Sequence, residues 1–259
     1  MGKHTLPETF LIEGEMSAQK RDAAIELRGE GLTLHELDEC GCGSRPVALA
    51  PEAVEAMERA YATVLEVIER GAPVYGVNTG FGKFSEVQIS REELATLQVN
   101  LVRSHACGVG EPLSDDVVRM ILVAKANSLA KGYSGCRPVV AQRLVDLYNV
   151  NLLPVVPAHG SVGASGDLAP LAHIALVLIG EGEAVYEGER LPGAEALKRA
   201  GIEPIELGPK EGLSVLNGTQ VSTALAAAAW LRLEMLAHAA DVACAWTVEG
   251  VAGLTSASA

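Results

Sequence analysis

Aromatic residues are scarce in this chain. Three Phe, two Trp and five Tyr make up 4% of 259 residues, so any core must be packed from aliphatic side chains and alanine. Its length is enough for one large or two small domains, and its 49% hydrophobic content can bury a real core. Positive charge is also in short supply: 20 Lys and Arg stand against 33 Asp and Glu, a net charge of −13. That balance argues against nucleic acid or an anionic membrane as partner and suits an enzyme of small molecules. There is no charge-free apolar run of the roughly twenty residues a membrane span needs. The N-terminal stretch carries Glu8, Glu13 and Glu15 and no apolar segment, so no signal peptide is expected and a cytoplasmic location is. The five cysteines are odd in number and fit no zinc spacing, which predicts reduced thiols and no metal site. Cys40 and Cys42 lack a second ligand pair nearby. No phosphate-binding glycine pattern or Walker lysine is present.

What is present is mostly helix. From Pro51 to Arg70 the apolar residues Val54, Met57, Tyr61, Val64, Leu65 and Ile68 recur at helical spacing, with Pro at the start and Gly71 as the stop. Ser90 and Glu93 have capping-box spacing and predict a helix running toward Arg103. Further helices are expected from Ser114 to Gly132, from Pro138 to Tyr148, from Asp167 to Ile179, and briefly from Ala194 to Ala200. Glu183 to Leu191 alternates around Glu187-Gly188 and reads as a β-hairpin. From Thr219 to about Gly250 no proline interrupts a run of helix formers, long enough for a rod in a helical bundle. Residues 1–24 read as a loose tail.

The most informative stretch is Gly160-Ser-Val-Gly-Ala-Ser-Gly-Asp-Leu-Ala-Pro170. Protein side chains offer no good electrophile. An Ala-Ser-Gly tripeptide can make one from its backbone: the Gly166 nitrogen attacks the Ala164 carbonyl carbon, and loss of water from the ring and from Ser165 leaves an electron-poor alkene. Gly166 lacks the Cβ that would crowd the ring and tolerates strained backbone angles. Standing alone, such a tripeptide is a turn into a helix.

Its context changes that. With Tyr75-Gly-Val-Asn-Thr-Gly-Phe-Gly82, Asn100-Leu-Val-Arg-Ser-His-Ala-Cys-Gly108, Gly132-Tyr-Ser-Gly-Cys-Arg137 and Leu216-Asn-Gly-Thr-Gln220, the chain resembles the aromatic amino acid ammonia-lyase family over roughly residues 25 to 255. The resemblance implies a 4-methylideneimidazole-5-one (MIO) group built from Ala164, Ser165 and Gly166, with neither PLP nor metal. It implies a mainly α fold of ammonia-lyase/fumarase-like architecture. An MIO-bearing domain with short strands and a hairpin, residues 25–217, would lead into the first long helix of a bundle domain, residues 218–259. Family members continue for about as long again, so the chain looks like an N-terminal half whose C-terminal half is missing. A homotetramer is the implied assembly, and an amino acid the implied substrate.

Site roles follow from the same resemblance. Tyr75, in a glycine-rich loop, matches the candidate base for the β-proton. Asp167 is expected as N-cap of its helix, as an aid to dehydration during ring formation, or as both. Asn217 would donate to the MIO carbonyl oxygen, against a bland reading as an Asn-Gly turn. Ser104-His105 matches the pair seen in members that act on histidine, where His105 would hydrogen-bond the substrate imidazole. Gln220 favours the same branch. The implied reaction is deamination of L-histidine to trans-urocanate and ammonia. The alternatives are a phenylalanine or tyrosine lyase or aminomutase, and a non-catalytic half that needs a C-terminal partner. His173 reads as core, Arg137 as a brace between loops, and Lys125 as a departure from the arginine the family often has there.

Overall fold

The computed structural model describes residues 23–71, 73–80, 89–90 and 93–251. It is mainly α, as expected. In chain order its helices are α1 (Leu34–Gly41), α2 (Pro51–Arg70), α3 (Leu94–His105), α4 (Asp115–Ala130), α5 (Pro138–Asn149), α6 (Leu168–Leu178), α7 (Gly193–Arg199), α8 (Glu211–Leu216) and α9 (Gln220–Gly250). The strands are short: β1 (Ile25–Leu27), β2 (Val47–Leu49), β3 (Val109–Pro112), β4 (Leu153–Pro154), β5 (Pro157–His159), β6 (Glu183–Tyr186) and β7 (Glu189–Pro192). β1 and β2 pair in parallel, β3 and β5 antiparallel, and β4, β6 and β7 form a small antiparallel sheet.

The centre of the molecule is α4. A helix apolar on nearly every side belongs inside, and α4 buries Val117, Val118, Met120, Ile121, Leu122, Val123, Ala126, Leu129 and Ala130. It packs against α5, α1, α9 and α2. Lys125 lies on this helix and is itself 1% exposed. Several boundaries follow local chemistry. Pro51 opens α2, and Gly71, in the left-handed region at φ +70°, closes it. Glu187 and Gly188, at φ +51° and +80°, turn the hairpin between β6 and β7, as the alternation predicts.

A second group of helices positions the site. α3, α6 and α8 pack on one another. A short turn at Asn217, Gly218 and Thr219 then leads from α8 into α9. The first turns of α9 bury Val221, Ala224, Ala227 and Ala228 along one stripe. Beyond them Trp230, Leu233, Met235, Leu236 and Trp246 are exposed.

One expected boundary is corrected. α3 begins at Leu94, with Glu93 as a cap residue in helical conformation, rather than at Ser90. The Ser90 hydroxyl donates to the Glu93 carboxylate at 2.7 Å, and no side chain caps α3. The unforeseen α1 does have a capping box: the Thr33 hydroxyl accepts from Glu36 N, and the Glu36 carboxylate accepts from Thr33 N. The expected tail lies outside the described residues as far as residue 22, as do Phe81 and Gly82 of the glycine-rich loop.

Candidate active site

Residues far apart in sequence line one cavity of about 410 Å³: Tyr75, Leu101, His105, Ser134, Ser165, Leu168, Lys210, Leu213, Ser214, Leu216 and Asn217. Four of the residues singled out by sequence, Tyr75, His105, Ser165 and Asn217, are therefore brought together. Among the described residues the lining holds one lysine, Lys210, and no carboxylate. Burial lowers the Lys210 pKa, and its ammonium donates to the Ser134 carbonyl. A second cavity of about 500 Å³, lined by Arg45, Arg119, Tyr148 and Asn151 among others, contains none of the expected site residues.

The Ala-Ser-Gly turn is conformationally tight. Ser165 adopts φ +63°, unusual for a residue with a Cβ, and Gly166 adopts φ +114°. Gly166 bridges in parallel to Gly218, and a Cβ at position 166 would lie 2.4 Å from the Gly218 oxygen. Asp167 N donates to that same oxygen at 2.7 Å. Only glycine fits at 166, and the backbone on either side is held. These features fit a tripeptide able to close into an MIO ring.

Asp167 is 1% exposed and does not cap its own helix with its side chain. Its carboxylate accepts instead from Ser222 N at 2.7 Å, Ser222 Oγ at 2.6 Å and Ser161 Oγ at 2.7 Å. Ser222 lies in the first turn of α9, so Asp167 caps the neighbouring long helix. Burial alone would raise its pKa. The bonds from Ser222 and Ser161 outweigh burial and hold the carboxyl below its ordinary value.

Asn217 ends α8 in extended conformation and donates from Nδ2 to Leu213 O at 3.2 Å. The turn reading also holds, because Gly218 follows at φ +140°. Lys125 Nζ reaches across from α4 and donates to the Asn217 carbonyl at 2.6 Å. Burial depresses the Lys125 pKa to about 7. Its charged neighbour in principle, Cys136, is pushed up to about 12 by burial and stays a neutral thiol. Among the described residues no carboxylate pairs with Lys125. Beside it runs a second buried link. Glu211, fully buried, accepts from Arg137 N, Nε and Nη2 and from Gly208 N. Arg137 thus braces two loops, as expected.

The Ser104-His105 pair divides its work. His105 Nδ1 lies 2.8 Å from the Leu101 carbonyl. A carbonyl only accepts, so Nδ1 carries the proton and Nε2 is left as an acceptor. Ser104 does not line the cavity; its hydroxyl donates to Leu101 O at 2.9 Å and sits 3.1 Å from His105 Nδ1. Gln220 lies elsewhere, in a cavity with Leu32, Leu37, Asn127 and Lys131, and its buried Oε1 has no hydrogen-bond partner among the described residues. His173 is half-buried and accepts from Gly108 N at 3.1 Å, a packing role. Among the described residues no group of His, Cys, Asp and Glu could hold a metal.

Lys125, Lys210 and Glu211 were not foreseen as parts of the site. For Lys125 a signal existed: it interrupts the apolar surface formed by Ile121, Leu122 and Leu129, its neighbours one turn away on the helix.

The chain is similar to known proteins over most of its length. The family model described as "Aromatic amino acid lyase" covers residues 32–259. A histidine ammonia-lyase from Geobacillus thermodenitrificans is 49% identical over 233 residues, which is 90% of this chain and 46% of that protein. The solved histidine ammonia-lyase of Trypanosoma cruzi is 36% identical with a TM-score of 0.84, covering 90% of this chain and 45% of that one. The ergothioneine-degrading ergothionase of Treponema denticola is 29% identical with a TM-score of 0.86, over 90% and 47%. The chain spans about half the length of the curated relatives it matches.

Proposed function

The chain belongs to the aromatic amino acid lyase family, and on that premise we propose that it serves the deamination of L-histidine to trans-urocanate and ammonia. The observation that carries this reading is the meeting of Tyr75, His105, Ser165 and Asn217 in one cavity. An MIO held by Ala164, Ser165 and Gly166 would supply an electron-poor carbon that activates the substrate, with no PLP and no metal.

The remaining roles belong to side chains of this chain. Tyr75 takes the β-proton, and the electron pair of that C–H bond forms the new double bond as the C–N bond breaks. Lys210 lines the same cavity. The second amide N–H of Asn217 stabilises developing negative charge. His105 selects the substrate: with Nδ1 tied to Leu101, its Nε2 accepts from an imidazole N–H, a donor that a phenyl ring lacks. Ser104 acts through His105 by sharing the Leu101 carbonyl. Gln220, at the start of α9, lines a different cavity and is left out of the substrate site in this reading. The reading includes a homotetramer and a cytoplasmic location, as the resemblance implies.

Two of the relatives named above are histidine ammonia-lyases, which favours histidine over phenylalanine or tyrosine. The test is to add L-histidine, L-phenylalanine and L-tyrosine separately to the purified protein and follow the absorbance of the unsaturated products. Urocanate from histidine alone is expected. Cinnamate or coumarate in its place moves the assignment to another branch, and a β-amino acid product moves it to an aminomutase.

A further inference from the structure

A lysine at the centre of a fold, with no counter-ion among the described residues, is a costly choice, because burial disfavours its charge. Lys125 is 1% exposed, sits on the central helix α4, and spends its ammonium on a single backbone atom, the Asn217 carbonyl, at 2.6 Å. Packing alone would favour an apolar residue there, as at its neighbours Ile121, Leu122 and Leu129.

The carbonyl it holds belongs to a chain of contacts that ends at the tripeptide. Asn217 is followed by Gly218, and Gly218 bridges to Gly166. The Gly218 oxygen takes the Asp167 N–H at 2.7 Å, so the backbone after Gly166 is fastened to the same turn. On the far side, Ser222 of α9 grips the Asp167 carboxylate. The approach is close enough that a Cβ on Gly166 would come within 2.4 Å of Gly218 O. A backward shift of the 217–218 turn would therefore release Gly166 from its φ of +114°.

Ring closure is sensitive to such slack. The Gly166 nitrogen must form a bond to the Ala164 carbonyl carbon. The Ala164 oxygen then leaves as water with the hydrogens of Gly166 N and Ser165 N, giving a C=N bond to the Ser165 nitrogen. A second water takes the Ser165 hydroxyl and its Cα hydrogen, giving the exocyclic C=C bond. No oxidant or added reagent is required. A reacting pair held at contact distance gains greatly over one that is not.

We propose that Lys125 is a positioning residue for this closure: by anchoring the Asn217 carbonyl to α4 it holds Gly218 against Gly166 and keeps the tripeptide compressed. The role rests on the MIO reading above, and the test separates the two. Intact mass is followed over time after synthesis for the 259-residue chain and for Lys125→Met and Lys125→Arg, together with thermal stability. The wild-type chain is expected to lose two waters. Lys125→Arg keeps the cation and its donors and should lose them too. Lys125→Met should fold with a Tm no lower than wild type, because a buried charge has been removed, yet close its ring about 10²-fold more slowly, the scale of a small misplacement of reacting atoms. Processing of Lys125→Met at the wild-type rate overturns the proposal. So does a Lys125→Met chain of lowered Tm, which would make the lysine a requirement of the fold. A wild-type chain that keeps both waters sinks the MIO reading itself, and this inference with it.

Discussion

The cavity has a floor and a rim, and they are built differently. The floor is Ser165, Asn217 and the turn between α8 and α9. Every backbone approach there is fastened by a buried group: Asp167 to Ser222, Lys125 to Asn217, Glu211 to Arg137. The rim is Tyr75, 62% exposed on a loop of turns between α2 and α3. Floor residues are placed by networks that tolerate little movement, which suits a group made by backbone strain. The rim residue is placed by a loop, which suits a group that meets substrate. The contrast implies that floor and rim variants fail in different ways.

The largest effects test that division directly. Ser165→Ala removes the hydroxyl that leaves, so activity should vanish and the mass should retain at least the side-chain water. Tyr75→Phe should lower kcat by roughly 10²–10⁴-fold, the usual loss with a general base, while its mass shows the full loss of two waters. If Tyr75→Phe also blocks processing, the tyrosine is part of the floor and the contrast collapses.

Next comes the floor's stability. Removing one partner of a buried ion pair leaves an uncompensated charge, typically at a cost of about 3–5 kcal/mol. Glu211 is fully buried and takes three bonds from Arg137, whose side chain is 38% exposed. The partial exposure lets water reach the orphaned guanidinium, so Glu211→Ala should fall at or below the low end of that range, about 3 kcal/mol. Chemical denaturation measures it. A loss under about 1 kcal/mol, the scale of exposed pairs, would place Glu211 outside the floor network.

A smaller and more selective effect is expected at His105, between floor and rim. A lost hydrogen bond to a neutral partner is worth about 0.5–1.5 kcal/mol, and an unsatisfied buried group up to about 3. His105→Phe should therefore lower kcat/KM for histidine by roughly 10–100-fold, chiefly through KM, with ring formation intact. Improved turnover of phenylalanine in the same variant would sharpen the assignment of Nε2. An unchanged KM would remove His105 from substrate recognition.

Sequence carried the fold unevenly, for physical reasons. α2 and the β6–β7 hairpin were legible because amphipathic spacing and turn residues are local signals. Four residues that the structure brings into one cavity, Tyr75, His105, Ser165 and Asn217, were legible in the motifs that carry them. The supports were not. Asp167 looked like the cap of its own helix, because sequence cannot say that Ser222, 55 residues on, offers a better donor. Gln220 closes the same short motif as Asn217, and the resemblance ties it to the histidine branch. The intervening turn is extended at Asn217 and helical from Gln220, and this sends the two side chains to different cavities. Lys125 was read as a departure from the family's arginine; its apolar neighbours Ile121, Leu122 and Leu129 hinted at burial, but that it reaches the Asn217 carbonyl shows only in the packing.

The smallest predicted effect concerns acid. The folded Asp167 carboxyl titrates below its ordinary value, because the Ser222 and Ser161 bonds overcome its burial. A carboxyl with a depressed folded pKa stabilises the fold fully above its unfolded pKa, about 3.9. That contribution fades as pH falls through the folded value, because the unfolded chain then binds the proton more readily. Asp167→Asn keeps one acceptor oxygen but has no proton to bind. It should be less stable than wild type at neutral pH, and the two stability curves should converge below about pH 4. Parallel curves would mean that the carboxylate's charge contributes nothing to the floor, leaving Asp167 only the task of dehydration. A matched substitution at Tyr75 should leave this acid slope unchanged, since the rim takes no part in the Ser222 and Ser161 contacts that create it.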